Sequence, residues 1–146
     1  AIRAIEIADY YKKTEKEEIP FPKIGSVIIG LEIDRESRRK KITQRLDARL
    51  HDGLVEEVKG LIDSGINPED LIYYGLEYKY VTNYIIGKIS YQEMHNQLEI
   101  AIHQFAKRQM TWFRGMEKRG IHINWIDTTQ PMDKKLKQAI ELINKN

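Results

Sequence analysis

Two short apolar runs, SVIIGLEI at 26–33 and IHINWID at 121–127, are separated by a long stretch dominated by helical periodicity. The first run alternates little and is rich in Val and Ile. That is the pattern of a strand buried on both faces, as in a parallel sheet. The second alternates well enough to be a second strand. The order is therefore helix, strand, five or six helices, strand, helix. Such an order suits part of an α/β domain with two of its strands present, mostly helical in this stretch.

Local signals place the helices. A helical pattern runs from the first residues, with Ile2, Ile5 and Ala8/Asp9 in step, and is predicted to end near Lys13. No cap precedes it, so the chain is expected to begin inside a helix and to be a piece of a longer protein. A polar, Pro-containing connector covers 14–25. Asp34 is the expected N-cap of a long helix in which Ile42, Leu46, Leu50 and Leu54 form an apolar stripe at spacing four. Gly53 breaks it, and LVEEVKGLIDSG is a short helix ending at Gly65. The next segment is expected to start as a loop, turn helical near Leu76 and end at Gly87. Ser90 and Glu93 form a capping box, S-x-x-E, opening a helix predicted to run to about Arg114. Its expected buried face is Met94, Leu98, Ala101, Ile102, Phe105 and Ala106, with Gly115 and Gly120 ending it. A last amphipathic helix, 133–144, would use Leu136, Ile140 and Ile143.

Composition narrows the function classes. The chain has no Cys, so disulfide and thiolate sites are excluded. No apolar run approaches the roughly 20 residues needed to span a bilayer. No signal peptide is visible, and a cytoplasmic protein is the simplest expectation. The glycines are isolated, so no phosphate-binding loop is present in these residues. His51, His95, His103 and His122 show no metal-sharing spacing. No self-contained active site is legible.

What remains is charge. Residues 35–49 hold seven Lys/Arg (Arg35, Arg38, Arg39, Lys40, Lys41, Arg45, Arg49) against Glu36 and Asp47. Residues 105–120 hold five (Lys107, Arg108, Arg114, Lys118, Arg119) against Glu117. The whole chain is only +2, so the remainder sums to −7. Two basic clusters on an acidic remainder are the footprint of a phosphate-rich partner. Arg38, Lys41, Arg45 and Arg49 make a second stripe beside the apolar one. On the later helix Lys107, Thr111 and Arg114 share a face, with Arg108 one step round and Gln109 and Trp112 on the flank. Arg and Lys bind phosphate, Gln and Thr donate to phosphate or ribose, and Trp offers a stacking plane. A core Trp with a wet cationic edge fits the same pattern, and at this level both readings stand.

Three stretches in order carry a resemblance: KRQMTWFR at 107–114, KITQRLDARLHDGLVEEVKGLIDSG at 41–65, and RAIEI at 3–7, with GKISYQEM at 87–94 fitting between them. They resemble the corresponding stretches of tRNA dimethylallyltransferases, also called tRNA isopentenyltransferases, over nearly the whole chain. The resemblance implies the C-terminal half of a P-loop, nucleotide-kinase-like α/β core. Residues 1–13 would end a helix leading from the insertion domain, and 26–146 would belong to the core. The phosphate loop and the general-base Asp would lie upstream, so no catalytic residue is expected here and the piece alone is expected to be inactive.

The implied reaction moves a dimethylallyl group from its diphosphate to N6 of the adenosine beside the anticodon, with Mg²⁺ on the diphosphate held mainly by the other half. The implied partners are the tRNA anticodon stem-loop and dimethylallyl diphosphate, with no membrane and a monomeric intact protein. Arg45 matches a family Arg facing the diphosphate, with Arg49 a weaker neighbour because the family usually carries Met there. Arg3, Tyr78, Lys79, Lys107, Arg108, Gln109, Thr111, Trp112 and Arg114 match positions or segments that contact tRNA. One departure stands out: in YGLEYK, 74–79, Glu77 replaces the family's usual Gly and Tyr74 takes a position that can be Arg. A carboxylate facing RNA phosphate would be unfavourable. A non-catalytic RNA-binding module is the alternative reading.

Overall fold

Asp34 turns the first strand into the first long helix: its Oδ1 accepts the Ser37 backbone N–H at 2.9 Å, and hydrogen bonding from the Ser37 side chain, then from its backbone, holds the Asp34 carboxyl below the usual range. The computed structural model describes residues 2–13 and 25–145. Most of the expected connector, 14–24, lies outside the described residues. The elements are α1 (Ile2–Lys13), β1 (Ile28–Glu32), α2 (Arg35–His51), α3 (Leu54–Asp63), α4 (Pro68–Tyr73), α5 (Leu76–Ile85), α6 (Tyr91–Lys118), β2 (Ile123–Asp127) and α7 (Met132–Asn144).

The apolar stripes of α2 through α6 meet in one cluster. Leu46, Leu54, Val58, Leu71, Val81, Met94 and Leu98 are buried, and Leu50, Ile62, Tyr84 and Ile102 pack against them. Gly53 makes this possible between α2 and α3, because it turns the chain at φ 94°, in the left-handed region that side chains disfavour. The capping box is formed as the sequence predicts: Glu93 N–H donates to Ser90 Oγ at 3.2 Å, and Ser90 N–H donates to Glu93 Oε2 at 2.8 Å. Ser90→Ala is expected to lower stability by about 1 kcal/mol, read as a lower urea midpoint with unchanged slope. An unchanged midpoint would mean that the box contributes nothing to holding α6.

Between the strands, β1 and β2 pair in parallel with Ile28 opposite Ile123 and Gly30 opposite Trp125. Gly30 is required there, since a Cβ would come within 2.5 Å of Trp125 Cε3 and 2.8 Å of Ile123 Cγ2. Asn124 Nδ2 donates to the Ile28 carbonyl at 3.1 Å and adds a side-chain rung.

Four expectations are corrected. The strand at 26–33 is not buried on both faces: it is shorter, Ile28–Glu32, and Leu31 is 60% exposed. The loop expected before Leu76 contains α4, whose start is built from an Asn67 cap, Pro68 in the first turn and acidic Glu69 and Asp70. The helix expected to stop at Arg114 runs through Gly115 to Lys118, since an interior glycine weakens a helix without ending it. That extra turn brings Glu117 Oε1 to within 2.8 Å of Trp125 Nε1 and ties α6 to β2. Finally, Phe105, Leu136, Ile140 and Ile143 remain exposed rather than buried.

Candidate functional site

Two polar contacts set the register of α2 against α6. Thr43 Oγ1 donates to Glu99 Oε1 at 2.5 Å, and His95 Nε2 lies 2.9 Å from Asp47 Oδ1. With Leu46, Met94 and Leu98 turned inward, the cationic stripe of α2 is left along the edge where α5 and α6 approach. A groove opens there, with Arg38, Arg45 and Gln109 as its donors, Ile42 and Phe105 as apolar walls, and the carboxylate-bearing Glu77 of α5 also lining it. Its chemistry is that of an anion seat with an apolar flank: two guanidinium groups beside surface that accepts hydrocarbon. A second, adjoining pocket is lined by Arg35, Arg38, Arg39, His103, Gln104 and Lys107.

The site residues predicted from sequence separate into groups. Arg45 and Gln109 line the groove, and Lys107 lines the adjoining pocket. Arg3, Tyr78, Lys79, Arg108, Thr111, Trp112 and Arg114 line neither. Arg45, Lys79, Lys107 and Arg114 thus do not share one groove, because helical rotation sends successive residues of α5 and α6 to different sides. Trp112 is 60% exposed, which removes the core-Trp alternative. It sits edge-on to Phe113 at 5.8 Å, and Phe113 in turn meets Trp125 at 5.9 Å. The Arg108 guanidinium lies 5.9 Å from the Phe105 ring. The Thr111 hydroxyl donates to the Lys107 carbonyl at 3.1 Å. Lys79 Nζ lies 5.7 Å from the Tyr80 ring, and Arg3 sits on α1, which buries no residue.

Tyr78 and Arg49 converge on a carboxylate that sequence reasoning did not single out. The Tyr78 hydroxyl donates to Glu57 Oε1 at 2.5 Å, and Arg49 Nη2 donates to Glu57 Oε2 at 3.1 Å. The Tyr78 hydrogen bond, then Arg49, holds the Glu57 carboxyl low, and the same bond pushes the Tyr78 phenol above its usual value. Arg49 also borders a small pocket with Arg45 and Glu77. Glu77 is therefore not turned away from the cations: it shares both cavities with Arg45, without approaching any cation to ion-pair distance. Arg38 and Arg45 both line the groove, as their place in one cationic stripe of α2 predicts. Nothing local could have placed Glu77 opposite them.

Among the described residues no group of three His, Asp or Glu side chains could hold a metal ion, and no helix is long and apolar enough to cross a membrane.

A family model described as IPP transferase matches residues 1–116. The chain is 62% identical over 144 residues to tRNA dimethylallyltransferase 2 of Phocaeicola vulgatus, covering 99% of this chain and 47% of that protein. It is 65% identical over 136 residues to tRNA dimethylallyltransferase 2 of Bacteroides fragilis, covering 93% and 44%. In three dimensions it is similar to the full-length tRNA isopentenylpyrophosphate transferase from Bacillus halodurans, with TM-score 0.73, 28% identity, and 98% of this chain and 44% of that chain covered. The chain spans about half the length of the curated relatives it matches.

Proposed function

The chain belongs to the IPP transferase family, and on that premise we propose that the intact protein transfers a dimethylallyl group from dimethylallyl diphosphate to N6 of the adenosine adjacent to a tRNA anticodon. The observation that carries this reading is the groove between α2, α5 and α6, where Arg45 and Arg38 stand beside Gln109 of the 107–114 segment. In the transfer, N6 attacks the allylic carbon and gives up a proton to the general base that the resemblance implies, the carbon–oxygen bond breaks, and its electron pair leaves with the diphosphate. Negative charge grows on the leaving oxygen as this happens. A guanidinium already oriented toward that oxygen stabilises the transition state more than the ground state. Arg45, which lines this groove and matches the family's diphosphate-facing Arg, is the group to which we assign this role. Ile42 and Phe105 flank it with apolar surface that suits the prenyl chain and limits water.

The residues described here supply binding and leaving-group stabilisation. They offer no ligand set for the Mg²⁺ that the resemblance implies, and no step here is routed through a metal. Segment 107–114 is the proposed RNA-facing surface: Lys107 and Arg114 for backbone phosphate, exposed Trp112 for stacking a base. Incubating the intact protein with dimethylallyl diphosphate, Mg²⁺ and an anticodon stem-loop is expected to yield N6-prenylated adenosine. Absence of transfer would sink the reading. Trp112→Ala is expected to weaken binding of that stem-loop by about 1–3 kcal/mol, the range for loss of one stacked base. Unchanged RNA affinity in a filter-binding or anisotropy titration would remove Trp112 from the interface.

A further inference from the structure

Arg35 and Arg39 are absorbed by nothing above, yet they meet Arg38 and Lys107 around one pocket. Three of these come from the first turns of α2 and one from the middle of α6. His103 and Gln104 complete the lining, and all six side chains can present hydrogen-bond donors. No carboxylate lines the pocket, and none of the four cations stands within ion-pair distance of one. On α6, the carboxylate of Glu99 is already engaged: it accepts the Thr43 hydroxyl and stands 3.7 Å from His103. Four like charges that converge without a partner repel one another, and an anion seated among them relieves that repulsion.

We infer that this pocket is a second anion site, which holds a backbone phosphate of the RNA, apart from the diphosphate-facing groove at Arg45. The inference rests on the proposed function. Three features favour RNA as the source of the phosphate. The pocket shares only Arg38 with the groove. It opens beside Lys107, the first residue of the proposed RNA-facing segment, so one strand of backbone could pass from the pocket onto α6. Its three guanidinium groups suit a phosphodiester, whose two free oxygens accept paired N–H donors.

The test uses the intact protein, an anticodon stem-loop RNA and dimethylallyl diphosphate. The variant is Arg35→Gln with Arg39→Gln, which spares Arg38 and Lys107. The control, Lys59→Gln with Lys137→Gln, removes the same charge from exposed positions that line neither cavity. The pocket variant is expected to raise the RNA Kd about tenfold or more and to flatten the dependence of log Kd on log salt by about one unit per cation. The control is expected to change both far less, and the KM for dimethylallyl diphosphate is expected to stay put in both. An unchanged RNA Kd and slope would overturn the inference. An equal change in the control would also overturn it, because a diffuse field would then explain the result. A raised donor KM with unchanged RNA binding would assign the pocket to the donor diphosphate instead. Wild-type transfer in the same assay tests the proposed function separately, so the two failures are distinguishable.

Discussion

Arg45→Ala in the intact protein slows dimethylallyl transfer by about 30- to 1,000-fold, a loss on the order of 2–4 kcal/mol of transition-state stabilisation. The size follows from what the guanidinium is proposed to do. It stands in a groove that also contains Arg38, so ground-state attraction for a diphosphate survives its loss. The unique contribution of Arg45 is to the oxygen on which charge develops as the carbon–oxygen bond breaks. The expected signature is therefore a fall in kcat and kcat/KM together, with a smaller change in the KM for the diphosphate. Steady-state kinetics on the intact protein checks this. A raised KM with unchanged kcat would reduce Arg45 to a binding group, and an unchanged rate would remove it from the site. Arg45→Lys restores charge but not the planar fork, and is expected to recover only part of the rate.

Leu98→Ala has the largest expected effect on stability, about 2–5 kcal/mol. Leu98 is completely buried on α6, in the cluster that holds Leu46 of α2, Leu54 and Val58 of α3 and Val81 of α5. Truncation leaves a hole within this cluster, which close-packed neighbours cannot fully collapse to fill. A fall in the urea or thermal midpoint of the intact protein reads the loss. A change under about 1 kcal/mol would mean that the helices close over the gap. The same substitution is expected to weaken RNA binding indirectly. α6 carries both the core contact at Leu98 and, about three turns later, Gln109 and the 107–114 segment.

Much of the fold was legible because its signals are local. The Asp34 cap and the Ser90–Glu93 box each need only a few residues to declare themselves, and each is formed; of the expected stripe, Leu46 and Leu50 face the core from α2, whereas Leu54 reaches it from α3 and Ile42 lines the groove. Asn67-Pro68-Glu69-Asp70 was an equally local helix start, outweighed by the turn-like look of Pro and the polar run. The end of α6 was misplaced for a different reason. Gly115 weakens the helix, but the contacts of Phe113 and Glu117 with Trp125 hold the extra turn, and those contacts cross from helix to strand. Phe105 and the α7 stripe show the converse. Their periodicity is that of a buried face, and no described element covers them.

The candidate site divides in the same way. The sequence alone determined which residue types are available: two clusters of cations, a Trp-Phe pair beside one of them, and the ordered stretches that carry the family resemblance. It also determined that Arg38 and Arg45 share a helical face. Only the tertiary structure decided which charges meet. Packing α2 against α6 put Arg35, Arg38 and Arg39 beside Lys107, and packing α5 alongside put Glu77 in the same cavities as Arg45. It also gave Tyr78 and Arg49 to Glu57 rather than to the groove. The physical reason is range. Caps and stripes are decided by the backbone within one or two turns, whereas the meeting of side chains on different helices depends on the angle and register at which those helices pack.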